Sequence, residues 1–134
     1  MRLNIFLYIL ISIFAMGFSG PPGKTKVSQT MAQQVKWNET DHQFGKIGLG
    51  PEAVFTFVFK NKGKKPVTVQ SAEPGCSCTV SDYSKDAVGK NKSGKVIVKY
   101  GTANRPGWFK KGVKVTFTDG SSQQLTIMGD VVVP

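Results

Sequence analysis

Acidic side chains, histidine and cysteine are scarce in this sequence of 134 residues, which has eight Asp and Glu, one His and two Cys. Hydrolytic sites need paired carboxylates or a Ser/His/Asp arrangement, and phosphate-binding loops need a glycine-rich motif. The carboxylates here occur singly, and the only histidine, His42, belongs to no such motif. We interpret His42 as a surface or turn residue. We therefore expect a protein that is not an enzyme and that needs no cofactor.

A helical hydrophobic pattern is also absent beyond the first residues. Leu3 to Phe18 is almost continuously apolar and follows Arg2, which is typical of a secretory signal. This run is shorter than the roughly 20 residues of a membrane span, although an uncleaved anchor remains an alternative. We predict a signal peptide over residues 1–19, a polar linker over 20–34 and one domain over 35–134. The protein is then exported to the periplasm, the cell envelope or the extracellular space.

Period-two alternation is the main structural signal of the remaining chain. Phe55, Phe57 and Phe59 are separated by single residues, which places three rings on one face of a strand. Residues 61–64 supply Asn and Gly for a tight turn, and Val67 and Val69 restart the alternation. The pattern predicts a hairpin of two adjacent strands that ends at residues 74–75.

Further strands are predicted on both sides of this hairpin, at residues 35–37, 96–100, 113–118 and 125–133. Asp119-Gly120 is a strong turn signal between the last two. Residues 81–93 lack periodicity and are expected to form a long loop or a crossover. About seven short strands predict an all-β, immunoglobulin-like sandwich. Its two cysteines are too close in sequence to bridge the sheets.

Cys76-Ser77-Cys78 is the chain's most unusual motif. In an extended strand the two Cα atoms would lie roughly 6.6 Å apart, at the upper limit for a disulfide. Three interpretations remain open: a structural pair or disulfide, a redox pair, and a soft-metal site for copper or zinc. A metal site would need further ligands, for which His42 and Met128 are the candidates.

The chain is strongly basic, with 18 Lys and Arg and a formal charge of +10. Such a charge favours anionic lipid, polysaccharide, acidic protein or nucleic acid as a partner, and a soluble, well-hydrated surface is the alternative. Candidate polyanion-binding lysines are Lys60, Lys62, Lys64, Lys65, Lys110, Lys111 and Lys114. Aromatic residues do not alternate with the turn lysines, which argues against single-stranded nucleic acid.

Several short motifs, in their order and spacing, resemble a bacterial domain-of-unknown-function family, number 1573, which is immunoglobulin-like and related to hydin-type domains. They are Phe44-Gly45-Lys46-Ile47, Phe57 to Gly63, Pro66, Cys76-Ser77-Cys78, Gly94-Lys95, Arg105-Pro106-Gly107 and Leu125 to Gly129. The resemblance extends from about Val35 to Val132. The family usually has glycine where Ser77 stands. The resemblance implies a β-sandwich in the cell envelope and no particular activity.

These observations predict an exported, non-catalytic module that is structural or binds a partner, either an envelope protein or a polyanion. The alternative is a redox or soft-metal protein that uses Cys76 and Cys78. The sequence leaves the oligomeric state open.

Overall fold

The structure is a computed structural model that describes residues 34–134, and all its regular elements are strands. The strands are β1 (Val35–Trp37), β2 (Asp41–Gly48), β3 (Ala53–Asn61), β4 (Val69–Pro74), β5 (Thr79–Tyr83), β6 (Ser93–Tyr100), β7 (Gly107–Phe117) and β8 (Ser122–Val132). The predicted all-β class is therefore confirmed. Within the described part, no helix is long and apolar enough to cross a bilayer. The predicted signal and all but the last residue of the predicted linker lie outside the described residues.

The eight strands form two four-stranded sheets. The first sheet has the order β1-β3-β6-β5 and is antiparallel throughout. The second has the order β2-β8-β7-β4, in which β2 runs parallel to β8 and the other pairs are antiparallel. The chain crosses from the first sheet to the second between β1 and β2. The amide of Asn38 still donates to the Val58 carbonyl (3.0 Å), whereas the Thr40 carbonyl already accepts from Thr126 of β8 (2.8 Å).

The core lies between the two sheets and is built from the inward-facing residues of each alternating strand. Phe57 and Phe59 of β3 are fully buried, as are Phe117, Leu125 and Ile127 of β7 and β8. The rings of Phe59 and Phe117 meet edge to face across the sandwich, with centroids 5.3 Å apart. Burial of each large apolar side chain contributes on the order of 1.5–3 kcal/mol. The alternating apolar side chains that predicted the strands are therefore the ones that stabilise the packing of the two sheets.

The predicted hairpin over residues 53–74 is wrong, although both of its strands exist. Strand β3 pairs with β1 and β6 in the first sheet, whereas β4 pairs with β7 in the second. The chain between them crosses from sheet to sheet. Asn61 directs this crossing, because its buried side-chain amide donates to the carbonyls of Lys65 (2.8 Å) and Val88 (2.9 Å). A local turn signal cannot reveal such a long-range partner.

The loop predicted for residues 81–93 is also partly wrong, because Ser81 to Tyr83 belong to β5. This edge strand pairs only with β6, with Ser81 opposite Val98. Its polar sequence lacks apolar alternation, so its pairing depends on the neighbouring strand. Together with β2, which runs through His42 and Phe44, it raises the strand count from the predicted seven or so to eight.

The turn at Asp119-Gly120 is confirmed as the connection between β7 and β8, which pair along ten registered positions. Gly120 has a φ of 87°, a value that glycine adopts without strain. The Phe117 amide donates to the Ser121 carbonyl (2.9 Å) and closes the turn.

Candidate functional site

Three loops meet at one end of the sandwich, over residues 49–52, 75–78 and 101–106, and we call this region the disulfide end. The Gly101 amide donates to the Cys78 carbonyl (3.1 Å). Thr102 joins the same loop to residues 49–52, because its hydroxyl accepts from the Gly50 amide (2.9 Å) and donates to the Pro51 carbonyl (2.7 Å). Thr102 is fully buried, so these bonds are shielded from water and hold the loops in place.

The cysteine motif forms the turn between β4 and β5, and the structure joins Cys76 to Cys78 in a disulfide. The Cα atoms lie 5.3 Å apart, closer than an extended strand would bring them. Thr79 supports the turn, since its buried hydroxyl lies 3.4 Å from the Cys76 Sγ and its amide donates to the Cys76 carbonyl (3.3 Å). Ser77 does not have a positive φ, so this turn does not require the glycine that the family usually has there.

The structure does not bring the candidate metal ligands together with the cysteines. His42 lies in β2 rather than in a turn, half-buried, with its ring stacked on Phe55 at 3.5 Å and its Nδ1 2.9 Å from the Glu39 carboxylate. His42 is therefore not a turn residue, although part of its side chain remains at the surface. Met128 lies in β8, opposite Gln43 and Lys110.

Within residues 34–134 no group of three or more His, Cys, Asp or Glu side chains converges. The thiolate is the form of cysteine that binds metals, and the bridged sulfurs carry none, so the geometry gives no support to the soft-metal alternative. The bridge is common to a structural pair and to an oxidised redox pair, so it gives the redox alternative no support of its own.

The exposed large apolar side chains of the described residues all lie towards the disulfide end: Val54, Trp108, Val132 and Val133. Trp108 stands out because 65% of its surface is exposed. It occupies the outer face of the second sheet, and Val132 is its diagonal neighbour there, two residues beyond the partner position Asp130. Diagonal neighbours of this kind lie about 7–8 Å apart. Trp108 and Val132 thus form a small apolar surface on a rigid sheet.

Charged groups continue this surface across three strands. Asp130 of β8 lies opposite Trp108 of β7 on one side and opposite Lys46 of β2 on the other. The row Lys46, Asp130, Trp108 thus places an ammonium group, a carboxylate and an indole ring side by side. This arrangement offers apolar area together with hydrogen-bonding groups of both signs.

The exposure of Trp108 was not predicted above, although the sequence contains a signal for it. Trp108 and Phe109 are adjacent in a strand, and adjacent residues point to opposite faces. Phe109 is buried and stacks on Tyr100, with ring centroids 4.0 Å apart. The ring of Trp108 must therefore face away from the core.

The lysines predicted to bind polyanions do not form one group. Lys60, Lys62, Lys64 and Lys65 lie at the end of the sandwich opposite the disulfide, around the exit of β3. The other three, Lys110, Lys111 and Lys114, lie along β7, where Lys114 is opposite Glu73.

The two packed sheets and their end loops define an immunoglobulin-like β-sandwich. Similar solved structures share this fold at low sequence identity. A protein of unknown function from Porphyromonas gingivalis W83 matches with a TM-score of 0.63 and 10% identity over 72% of this chain and 46% of that one. The PapD-like domain 7 of human CEP192 matches with a TM-score of 0.59 and 10% identity over 75% of this chain and 87% of that one. This chain spans about half of the Porphyromonas protein.

A secreted serine protease of Vibrio cholerae, VesC, matches with a TM-score of 0.58 and 10% identity, over 75% of this chain and 24% of the protease. These likenesses establish the fold alone.

The chain belongs to a family described as protein of unknown function (DUF1573), whose model matches residues 35–131. This membership confirms the family resemblance inferred from the sequence motifs. No curated protein matches the chain.

Proposed function

We propose that this chain is an exported, non-catalytic module of the cell envelope that binds a protein partner through its disulfide end. The observation that carries the proposal is the exposed ring of Trp108 on the outer face of a rigid sheet. Tryptophan is enriched among the residues that dominate binding energy at protein interfaces, where it fills a pocket of the partner.

The disulfide end is suited to binding because its loops are held before a partner arrives. Thr102 ties two of the loops together, and the Gly101–Cys78 hydrogen bond ties in the third. Ordering side chains and loops on association costs free energy, and a preorganised surface avoids part of that cost. A partner that covers Trp108 and Val132 would therefore meet a surface that needs little rearrangement.

Export is supported by the apolar run after Arg2 and by the cysteine pair. A disulfide such as that between Cys76 and Cys78 persists in the periplasm or outside the cell and is rare in the cytosol. The exported protein is expected to lack residues 1–19, and its non-reduced mass reports both signal removal and the bridge. A full-length, reduced product among cytosolic proteins would contradict the proposal.

The binding role is tested with Trp108→Ala. The purified protein and its variant are crosslinked in an envelope extract, and the recovered partner is then titrated in purified form. Because Trp108 is mostly exposed, the variant should unfold within about 0.5 kcal/mol of the wild type. Its affinity for the partner should fall about 30-fold or more, as expected for a dominant interface residue.

Lys114→Ala is the matched control, since Lys114 is exposed on the same strand but lies farther from the disulfide end. It should retain the wild-type affinity. Equal binding by wild type and Trp108→Ala would overturn the role of this surface. Hydrolase activity of the purified protein that survives further purification would overturn the non-catalytic part of the proposal.

A further inference from the structure

The end of the sandwich opposite the disulfide gathers lysines from four separate parts of the chain, and we call it the basic end. They come from β1, the end of β3 and the loop after it, the loop before β6, and β6 itself: Lys36, Lys60, Lys62, Lys64, Lys65, Lys90, Lys92 and Lys95. All are exposed except Lys60, which is half-buried. The carboxylates near these lysines are Asp82, Asp86 and Asp119, and Asp82 of β5 is a diagonal neighbour of Lys95, so the eight lysines outnumber the carboxylates there.

Asn61 brings the two lysine-bearing loops together. Its side-chain amide donates to the Lys65 carbonyl of one loop and to the Val88 carbonyl of the other (2.8 and 2.9 Å). Its backbone amide donates to the Lys92 carbonyl (3.0 Å), and its carbonyl accepts from the Asn91 amide (2.7 Å). Because Asn61 is fully buried, the fold holds the two loops at a fixed separation despite the repulsion between their lysines.

Like charges also face each other within the first sheet. Lys36 of β1 lies directly opposite Lys60 of β3, and Lys95 of β6 is a diagonal neighbour of Lys60. Like charges in directly opposed positions destabilise a sheet. In the described part of the chain, none of the eight lysines forms an ion pair with a carboxylate. An anionic surface would supply the counter-charge that most of these lysines lack.

Two lysines of the second sheet have a carboxylate opposite them. On its outer face Lys46 lies opposite Asp130, and Lys114 lies opposite Glu73. Each of these lysines has a carboxylate in the neighbouring register position. Lys110 and Lys111 on the same sheet lie opposite Met128 and Ile127. The basic end therefore differs from the second sheet in the number of lysines that it gathers in one place.

The chain also enters the domain at the basic end. The Gln34 carbonyl accepts from the Lys62 amide (2.7 Å), and its side-chain amide donates to the Lys65 carbonyl (2.8 Å). The residues that precede Gln34 in the sequence include the apolar run from Leu3 to Phe18 and two more lysines, Lys24 and Lys26. If the N-terminal segment associates with a membrane, the chain that leads from it enters the domain beside the lysines of the basic end.

We propose that the basic end docks on an anionic lipid surface. Juxtamembrane lysines are attracted to anionic headgroups as point charges, without bidentate or stacking contacts, and the eight residues here are all lysines. Docking in this orientation points the disulfide end, with Trp108, away from the bilayer. The inference goes beyond the proposed partner binding and does not depend on it, because the two surfaces lie at opposite ends.

The test measures binding of the full chain to phosphatidylcholine vesicles with and without phosphatidylglycerol, at low and high salt. The basic-end variant is K62Q/K64Q/K65Q/K92Q, and the control K99Q/K110Q/K111Q/K114Q removes the same charge from positions elsewhere on the domain. Both retain the N-terminal segment, so its contribution cancels. Each lysine close to an anionic surface contributes about fivefold to binding, and four contribute on the order of several hundredfold.

We expect the wild type to prefer anionic vesicles, with a preference that falls as salt rises. The basic-end variant should lose most of that preference and the control should keep it. Equal losses in the two variants, or a wild type without the preference, would overturn the proposal. So would binding to an acidic polysaccharide through the same lysines without binding to vesicles. If the fourfold variant unfolds, K62Q/K64Q and K65Q/K92Q must each show a partial loss. Trp108→Ala should bind vesicles normally, which separates this proposal from the partner-binding one.

Discussion

Replacement of Asn61 by alanine tests how the fold assembles its basic end. The asparagine side chain makes three hydrogen bonds: it donates to the Lys65 and Val88 carbonyls and accepts from the Gly63 amide (2.9 Å). Alanine removes all three, whereas the backbone bonds of residue 61 remain possible. The two loops would then lose the side chain that joins them.

The expected loss of stability follows from these three bonds. A buried hydrogen bond contributes about 1 kcal/mol net, and in the variant the Val88 and Lys65 carbonyls each keep one other donor, the Val67 amide and the Gln34 side chain. Asn61→Ala should therefore lower the free energy of unfolding by about 3 kcal/mol. In a domain of about 100 residues each kcal/mol shifts Tm by about 4–8 °C, which predicts a fall of about 12–24 °C.

Chemical and thermal unfolding of the oxidised protein provide the measurement. Asn38→Ala is the matched control, since the exposed side chain of Asn38 makes no hydrogen bond in the described structure, and it should change stability by less than about 0.5 kcal/mol. Asn61→Asp keeps an acceptor for the Gly63 amide but loses both donors. It should destabilise at neutral pH at least as much as alanine, because a buried carboxylate would face two carbonyl oxygens.

A loss below about 1 kcal/mol for Asn61→Ala, or equal effects at Asn61 and Asn38, would refute this reasoning. The loops would then be held by their backbone bonds alone. Hydrogen exchange locates the effect, since the amides of Val67 and Val88, which bond each other's carbonyls (2.9 and 2.7 Å), should exchange faster in the variant.

Two further predictions concern packing and the disulfide. Gly94→Ala should lower the free energy of unfolding by about 1–3 kcal/mol, because a new Cβ would overlap the buried ring of Phe59. Gly48→Ala is the control, since its Cβ would enter open space, and it should change stability by less than about 1 kcal/mol. Equal melting temperatures of the two variants would contradict this account of the packing. The double variant Cys76→Ser/Cys78→Ser should stay folded with a loss of roughly 1.5 kcal/mol, because a bridge between cysteines two positions apart closes a very short loop. Complete unfolding of that variant by circular dichroism would show that the bridge does more than close the turn.

Much of the fold was predictable because strands and tight turns have local sequence patterns. The alternation around Phe57, the turn at Asp119-Gly120 and the terminal strand beginning near Leu125 all appear in the structure where the sequence indicates them. Each of these signals depends on residues a few positions apart. Strand β5 lacks an alternating apolar pattern, because an edge strand with one neighbour can be polar on both faces.

The candidate sites were less predictable because they depend on distant residues. The sequence identified Lys60 to Lys65 as a basic turn, but it did not show that Lys36, Lys90, Lys92 and Lys95 would join them. It identified the cysteine pair, but not the buried Thr102 that fixes the loops beside it. Contacts of this kind join residues tens of positions apart and follow from strand order, which alternation does not encode.

The amino-acid sequence alone therefore determined most of the strands, the faces that these strands bury and the family to which the chain belongs. Only the tertiary structure decided that β3 and β4 belong to different sheets and that basic and apolar surfaces lie at opposite ends. The physical reason is that side-chain alternation specifies which face of a strand avoids water, whereas the choice of neighbouring strand is made by buried polar groups such as Asn61 and by packing across the core.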